Sequence, residues 1–241
     1  MPLYGSSMKF PAPLKTGHLV KRYKRFLADI VLDETGEEIT AHCANPGSML
    51  GLKEPGSKVW VSQSDKPKRK LKYSFEIIEA DGALVGINTA YPNKLVEEAL
   101  VAGKISELNG FETLRREVKY GKNSRIDLLL EGGEHSTTYV EVKNVHLMRQ
   151  AGLAEFPDSV TARGAKHLGE LADMVAEGHR AAMVFMVQRP DCDRLSLASD
   201  IDPNYAAAFA AAKAAGVEAY AVGCSVTPEA IEVNRTVALE F

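Results

Sequence analysis

The sequence predicts a two-domain protein of the α/β class (α+β overall), with a small β-barrel over residues 1–83 and an α/β domain over residues 84–241. Two observations predict this architecture. Short segments of strand composition, separated by turn residues, fill the first part, whereas helical and strand patterns alternate in the second part. With 241 residues, of which 45% are hydrophobic, the chain is long enough to bury two cores.

Four segments of the first part are rich in β-branched, aromatic and other apolar residues. They are residues 18–32, 38–43, 58–62 and 71–79. Turn residues separate them at 33–36, 45–47 and 54–56. About five short strands in about 80 residues are typical of a small barrel such as an OB-fold.

The second part changes to longer elements of mixed type. The predicted helices are 93–108, a helix capped by Asp158 or Ser159 that runs to Glu177, and 203–215. The predicted strands are 111–120, 124–130, 138–145, 181–188, 217–223 and 231–239. This order is typical of a sheet with helices on its faces.

The overall net charge of −3 hides an uneven distribution. Residues 1–83 contain 13 Lys+Arg and 10 Asp+Glu, a net of +3, and the remainder contains 16 and 22, a net of −6. Local basic patches bind phosphates whatever the total charge is, and an acidic excess suits a cation site. Charge therefore leaves nucleic-acid binding open.

Several features indicate a cytoplasmic protein that does not associate with membranes. No apolar run approaches the roughly 20 residues of a membrane span, and residues 1–10 lack the features of a secretory signal. Three widely spaced cysteines, Cys43, Cys192 and Cys224, argue against a disulfide framework and against a thiolate zinc site. We expect free thiols.

Two carboxylates and one ammonium group form the candidate catalytic constellation. If the loop at 131–136 is a hairpin centred on Glu134, Asp127 lies directly opposite Glu141, and strand alternation places Lys143 on the same face as Glu141. Ile126 and Leu128 are then expected on the other face. The alternative is a surface strand with an ordinary ion pair.

This grouping suits a divalent cation. Neighbouring carboxylates raise each other's pKa unless a cation joins them, and Mg²⁺ or Mn²⁺ prefers such oxygen ligands. A water bound to the ion can attack a phosphodiester, and Lys143 can orient that water or stabilise the charge on the phosphate. The pattern therefore predicts a metal-dependent nuclease.

Asp127 with Glu141–Lys143 resembles the PD-(D/E)xK nuclease motif, although Arg-Ile and not Pro precedes the aspartate. Four blocks also resemble the sugar fermentation stimulation protein A family. They are residues 21–29, 42–49, 139–145 and 156–168. The resemblance implies an N-terminal OB-like domain, a C-terminal PD-(D/E)xK restriction-endonuclease-like domain and DNA binding.

Two residues outside this constellation are further candidates for the site. Glu98, on the helix before the first strand, is a candidate third metal ligand, because nuclease folds of this kind often supply a carboxylate there. Gln188, at the end of a buried strand, is a candidate nucleic-acid contact. The alternative for both residues is an ordinary side chain that faces water.

The capped helix presents a polar stripe at i, i+3 and i+4, formed by Arg163, Lys166 and His167. Lys166 is a candidate catalytic residue that would assist the phosphate, as the family resemblance favours. Arg163 and His167 are candidate nucleic-acid contacts, although a helical histidine is more often simply hydrogen-bonded.

Basic and aromatic residues interleave on a predicted strand of the barrel, a pattern that suits phosphate contact and base stacking. The candidate nucleic-acid-binding residues here are Lys21, Arg22, Tyr23, Lys24 and Arg25. The alternative is a solvated basic face.

The leading hypothesis is a DNA-binding protein with Mg²⁺- or Mn²⁺-dependent nuclease activity and little sequence specificity, which could form a homodimer. One alternative is a non-catalytic, DNA-binding regulator of sugar-metabolism genes, because a nuclease fold can serve as a binding scaffold. Another is an RNA nuclease or RNA-binding module, because OB-folds bind both polymers.

Overall fold

A closed barrel and a seven-stranded sheet form the framework of the protein in the computed structural model, which describes residues 8–121, 124–133 and 136–241. The strands are β1 (Met8–Lys9), β2 (Lys15–Tyr23), β3 (Leu27–Leu32), β4 (Glu38–His42), β5 (Lys58–Gln63), β6 (Tyr73–Ala80), β7 (Ala83–Gly86), β8 (Thr113–Tyr120), β9 (Ser124–Glu131), β10 (Thr138–Val145), β11 (Leu147–Gln150), β12 (Leu153–Phe156), β13 (Arg180–Val187), β14 (Arg194–Leu197), β15 (Glu218–Val226), β16 (Ala230–Thr236) and β17 (Ala238–Leu239). The helices are α1 (Pro92–Val101), α2 (Ala162–Ala176) and α3 (Pro203–Ala214). Two predictions fall partly outside the described residues. They concern residues 1–7, which belong to the segment without secretory-signal features, and residues 134–135 of the predicted hairpin loop.

The predicted N-terminal barrel is confirmed. Strands β4, β3, β2, β5 and β6 follow one another around the sheet, and a parallel pairing of β4 with β6 at Ala41–Tyr73 closes the ring. Fully buried apolar side chains, among them Ile30, Val59 and Phe75, fill the interior. Each such side chain contributes roughly 1.5–3 kcal/mol through its removal from water.

The segment 18–32 was predicted as a single strand, and this was wrong. It forms a hairpin of β2 and β3, and the turn contains Lys24 and Arg25, whose φ angles are 48° and 64°. Such left-handed backbone is uncommon for residues other than glycine and asparagine. The turn therefore carries none of the residues from which a hairpin is normally predicted.

The second sheet has the order β1, β16, β15, β13, β10, β9, β8. Its centre, β10–β13–β15, is parallel, and the flanking pairs are antiparallel. One face packs against α1 and the other against α2 and α3. The domain boundary at residue 83 stays a prediction, since β1 joins this sheet and the barrel sheet runs through β7 to Gly86.

Two predicted helices differ in their bounds. The first ends at Val101, and a short 3-10 helix over Ser106–Leu108 follows a turn at Gly103, whose φ is 70°. The second begins later than predicted, because Thr161 is its N-cap and accepts a hydrogen bond from the Gly164 amide at 3.1 Å. A third sheet, β11–β12–β14–β17, was not predicted at all.

The cysteine prediction is confirmed, because all three thiols are buried and free. None of the helices in the described ranges is long and apolar enough to cross a membrane.

Candidate active site

The two carboxylates of the constellation lie where β9 and β10 separate. The antiparallel ladder pairs Thr138 with Leu130 and Val140 with Leu128, and its continuation would pair Glu141 with Asp127. This register is the one expected for a turn centred on residue 134. Beyond this point the backbone amide of Val142 donates to Asp127 Oδ2 at 2.8 Å. The carboxylate of Asp127 thus takes the place of a backbone carbonyl of β9 as the acceptor.

Asp127 is held between β10 and α1. Besides the Val142 amide, the Asn93 side chain donates to Asp127 Oδ1 at 2.8 Å. Burial, and then the negative charge of Glu141, raise the pKa of Asp127 to about 6 against the lowering effect of these hydrogen bonds and of Lys143. The two carboxylates therefore interact electrostatically, as the sequence predicted.

The strand alternation around Asp127 differs from the expectation. Leu128 packs in the apolar cluster of the α1 side, whereas Ile126 packs in the cluster of the α2 side. The neighbouring strand β8 is irregular at the same level, since Glu117 has a φ of 52° and the β8–β9 ladder skips the Glu117–Asp127 pair. The change of face at Asp127, which contacts Asn93 of α1, coincides with this irregularity.

Glu141 is 3% exposed and is approached by two donors. Lys143 Nζ lies 2.6 Å from Glu141 Oε1, and His167 Nδ1 contacts the same oxygen. Burial raises the pKa of Glu141, but the hydrogen bonds from His167 and Lys143 outweigh it, so the net pKa is lowered. The pKa values of the two carboxylates are therefore shifted in opposite directions, with that of Glu141 lowered and that of Asp127 raised.

His167, which the sequence assigned to nucleic-acid contact, is buried against Glu141. Its other ring nitrogen, Nε2, accepts from Arg163 Nε at 3.3 Å, which leaves the proton of the neutral ring on Nδ1, facing Glu141. The i, i+4 spacing of Arg163 and His167 predicts that these two side chains lie next to each other on the helix. No feature of the sequence predicts the contact of His167 with Glu141.

The residues present fit a divalent cation, and the atom that indicates this is Glu141 Oε2. Glu141 Oε2 is buried without a hydrogen-bond partner, and an unpaired buried carboxylate oxygen requires a counter-charge or water. Within the described ranges, no three or more His, Cys, Asp and Glu residues surround a common point. Asp127 and Glu141 would thus supply two ligands, with water completing the shell.

Glu98 lies on α1, where its side chain is 20% exposed and 3.7 Å from Lys94. Burial raises the pKa of Glu98, and one of its oxygens has no hydrogen-bond partner. The α1 residue that contacts Asp127 is Asn93, and Glu97, four residues later, shares its face and pairs with Arg116. Sequence reasoning missed Asn93, since an asparagine after a helix-starting proline gives no catalytic signal.

Gln188, predicted as a nucleic-acid contact, is fully buried. Its Nε2 donates to Asn144 Oδ1 at 2.6 Å and to the Asn88 carbonyl at 3.2 Å. A side chain without exposed surface cannot reach a nucleic acid in this conformation. Gln188 instead holds Asn144, the residue that follows Lys143.

The polar chain continues from Asn144 into the barrel. Asn144 Nδ2 lies 3.3 Å from His146 Nδ1, and His146 Nε2 lies 3.1 Å from Asn45 Nδ2. Burial lowers the pKa of His146, which keeps the ring neutral. Asn45 belongs to the loop after β4, so a chain of buried polar contacts joins the two domains, and the neutral ring can accept a hydrogen bond at one of its two nitrogens.

The basic residues of the barrel divide into engaged and exposed groups. Arg22 Nη2 donates to the carbonyls of Arg25, Asn45 and Gly47 at 2.8–3.0 Å, so this guanidinium holds loops together. Lys21 lies over the Tyr23 ring at 5.2 Å. The two turn residues Lys24 and Arg25 are exposed.

On α2, Arg163 and Lys166 are both exposed. Lys166 Nζ lies 3.4 Å from Glu170 Oε1, with a side chain that is 55% exposed. Both cations therefore reach solvent on the helix that carries His167.

Two family models match the chain, one described as the SfsA N-terminal OB domain over residues 20–87 and one as the sugar fermentation stimulation protein RE domain over residues 90–230. The chain belongs to the SfsA family. The resemblance stated from the sequence motifs is thereby confirmed, as is the predicted combination of an OB-like barrel with a second α/β domain.

Members of the SfsA family match the chain over nearly its whole length. A sugar fermentation stimulation protein homolog of Rhodospirillum centenum is 61% identical over 232 residues, covering 96% of this chain and 99% of the relative. A homolog of Brucella ovis is 57% identical over 233 residues, covering 97% and 98%. The structure of Pyrococcus furiosus SfsA in complex with Ca²⁺ matches with a TM-score of 0.86 and 27% identity, covering 97% and 98%.

Proposed function

We propose that the protein binds DNA and hydrolyses phosphodiester bonds with a divalent metal ion, Mg²⁺ or Mn²⁺, with little sequence specificity. The observation that carries the proposal is the pair Asp127 and Glu141 at the separation of β9 and β10, with Lys143 beside them and Glu141 Oε2 without a partner. A family member whose structure was determined with Ca²⁺ supports a divalent cation.

Asp127 and Glu141 would hold the ion. When bound, such an ion supplies a Lewis acid that lowers the pKa of a water molecule and offsets charge on the phosphate. Lys143, with a side chain that is 15% exposed, presents an ammonium group that orients the attacking water or stabilises the developing charge. His167 fixes the rotamer of Glu141 and keeps that carboxylate ionised.

The exposed cations would bind the DNA backbone. Lys166 and Arg163 are exposed on the helix that carries His167, and Lys166 would assist the phosphate. Lys24 and Arg25 are exposed cations of the barrel that would make further contacts of this kind. Contacts of this kind are made to phosphates, so they carry little sequence information. Glu98 as a third ligand and a homodimeric assembly stay predictions.

The test is cleavage of labelled single- and double-stranded DNA with Mg²⁺, Mn²⁺ or EDTA, comparing the wild type with Asp127→Ala and Glu141→Ala. The matched control is Asp173→Ala, which changes a carboxylate of the same helix that carries His167. We expect cutting that requires metal, that both site variants lose by at least roughly 100-fold and that the control retains. Binding without cutting in the wild type would instead favour a non-catalytic DNA-binding regulator.

A further inference from the structure

Five large apolar side chains are exposed among the described residues. They are Phe26 (49%), Leu50 (44%), Val101 (56%), Val160 (71%) and Phe241 (46%). Single exposed apolar side chains are ordinary, but a group of them beside a functional site indicates a binding surface. Phe26, Leu50 and Val160 belong to three loops that hydrogen bonds join to one another, and the third of these loops leads into the helix of His167.

Hydrogen bonds join the first two loops. Phe26 lies at the tip of the β2–β3 hairpin, where its carbonyl accepts from the Cys43 amide at 2.8 Å. The Arg22 guanidinium donates both to the carbonyl of Arg25 in the tip and to the carbonyl of Gly47 in the loop after β4. The hairpin tip is therefore fixed to the loop that leads to Leu50.

The same loop is attached to the segment before α2. Ser48 Oγ donates to the Asp158 carbonyl at 2.6 Å, and the Met49 amide donates to Asp158 Oδ2 at 3.0 Å. A Cβ atom on Gly47 would lie 2.6 Å from that carboxylate, so the two loops approach closely. Leu50 and Val160 each follow this contact by one or two residues.

Exposed cations lie on the same loops and on the helix that follows Val160. Lys24, Arg25 and Lys53 are exposed and form no ion pair with a carboxylate in the part of the chain that the structure describes. Arg163 and Lys166 are exposed on the first two turns of α2, close after Val160 in the chain. Lys166 keeps a 55% exposed side chain although it pairs with Glu170. Exposed positive charge of this kind attracts phosphates.

We propose that Phe26, Leu50 and Val160 form an apolar platform that receives the unstacked bases of a single DNA strand while the surrounding cations hold its phosphates. This inference rests on the proposed function and specifies its substrate class. In a duplex the faces of the bases are hidden in the stack, so an apolar platform gains nothing from it beyond phosphate contact. In an unpaired strand every base exposes a face that can pack on Phe26.

The platform joins both domains, which explains why the loops are tied to one another. Phe26 and Leu50 come from the barrel, whereas Val160 precedes the helix whose His167 contacts Glu141. A strand lying on this surface passes from the barrel toward the candidate reaction centre. The unpaired strand, or the frayed end of a duplex, is therefore the preferred substrate.

The test is binding of fluorescently labelled oligothymidylate, and of a blunt duplex of equal length, by anisotropy in EDTA, which prevents cleavage. Phe26→Ala is expected to weaken oligothymidylate binding by about 5- to 100-fold, since a stacked base is lost, and to change duplex binding by less than about twofold. Phe26→Trp should retain tight binding. Val160→Ala should weaken binding to the single strand, whereas Val101→Ala, the same change at another exposed valine, on α1, should not.

Unchanged oligothymidylate affinity in Phe26→Ala, or an equal loss on both DNA forms, would overturn the platform. Tighter binding of oligouridylate than of oligothymidylate would overturn the assignment to DNA. Failure of the proposed function is separable from both results. If the wild type binds single strands through Phe26 but never cleaves them, only the proposed catalysis is refuted. If Phe26→Ala cleaves single strands as fast as the wild type, only the platform is refuted.

Discussion

Replacing Asp127 by asparagine should stabilise the metal-free protein at neutral pH, although it removes a proposed metal ligand. Burial and the charge of Glu141 raise the pKa of Asp127 from its ordinary value of 3.8 to about 6. At neutral pH the ionisation of Asp127 therefore lowers the free energy of unfolding of the protein. An amide of the same size carries no charge and avoids that cost.

The magnitude follows from the two pKa values. The interval between 3.8 and about 6, at about 1.4 kcal/mol for each pH unit, corresponds to about 3 kcal/mol. Both hydrogen bonds at this position survive the substitution. The new amide oxygen accepts from the Val142 amide, and the new amide nitrogen donates to the Asn93 side chain once that amide turns over.

The sign of the pH dependence is fixed by the direction of the pKa change. Because the folded pKa lies above the unfolded one, folded wild type binds the proton more tightly, and its stability falls as pH rises between about 4 and about 6. The variant lacks this loss. The difference in unfolding free energy should be near zero below about pH 4 and reach about 3 kcal/mol above about pH 7.

The assay is urea denaturation in EDTA at several pH values. Trp60, the single tryptophan, is buried in the apolar cluster that packs on α1, so its fluorescence reports on the core next to Asn93, and far-UV circular dichroism reports on the whole chain. Asp29→Asn is the control with opposite sign, because Tyr23 and Thr40 donate to that carboxylate and its net pKa is lowered despite burial.

A variant that is no more stable than the wild type in EDTA near pH 8, with both spectroscopic transitions coinciding, would refute the argument that Asp127 is ionised at a cost. Addition of Mn²⁺ gives a second check. The metal should raise the stability of the wild type through binding and leave the variant unchanged, so the order of stabilities should reverse at high metal concentration.

Three further perturbations follow from the site and its surroundings. His167→Leu should raise the pKa of Glu141 by removing its donor, so the acid limb of the pH profile of cleavage should move to higher pH, whereas a purely structural role would lower the rate equally at all pH values. Thr161→Ala should cost about 1 kcal/mol in urea unfolding, because the N-cap of α2 is lost, and a cost near zero would refute that role. Gly47→Ala should destabilise the fold by roughly 1–3 kcal/mol, because the new Cβ displaces the Asp158 carboxylate from its hydrogen bond with the Met49 amide. Gly169→Ala, in open space on α2, should be neutral or stabilising in the same measurement, and equal effects of the two would contradict the clash.

Sequence patterns predicted much of the fold because they report on local geometry. The loop between β9 and β10 was enough to predict the register of their ladder, whose continuation sets Asp127 opposite Glu141. The placement of helices on the faces of the sheet followed from the alternation of helices and strands, whereas the parallel centre was not predicted. These predictions depend on neighbours close in the chain, where period and turn residues constrain the backbone directly.

Some local features were still missed, since the residues involved are ordinary. The hairpin at Lys24 and Arg25 uses left-handed backbone without glycine, and Glu117 interrupts the β8–β9 pairing in the same way. Left-handed backbone at such residues is held by surrounding contacts, such as the bonds from Arg22 to the loop carbonyls. Composition therefore does not reveal it.

The sequence by itself determined the two-domain architecture, the opposed pair Asp127 and Glu141, and the SfsA family. Tertiary structure alone decided which distant groups reach that pair, namely Asn93 on Asp127 and His167 on Glu141. It also buried Gln188 within a hydrogen-bonded chain that links the domains. The physical reason is that contacts between segments far apart in the chain depend on how helices pack against the sheet, and packing is set by all the core side chains together.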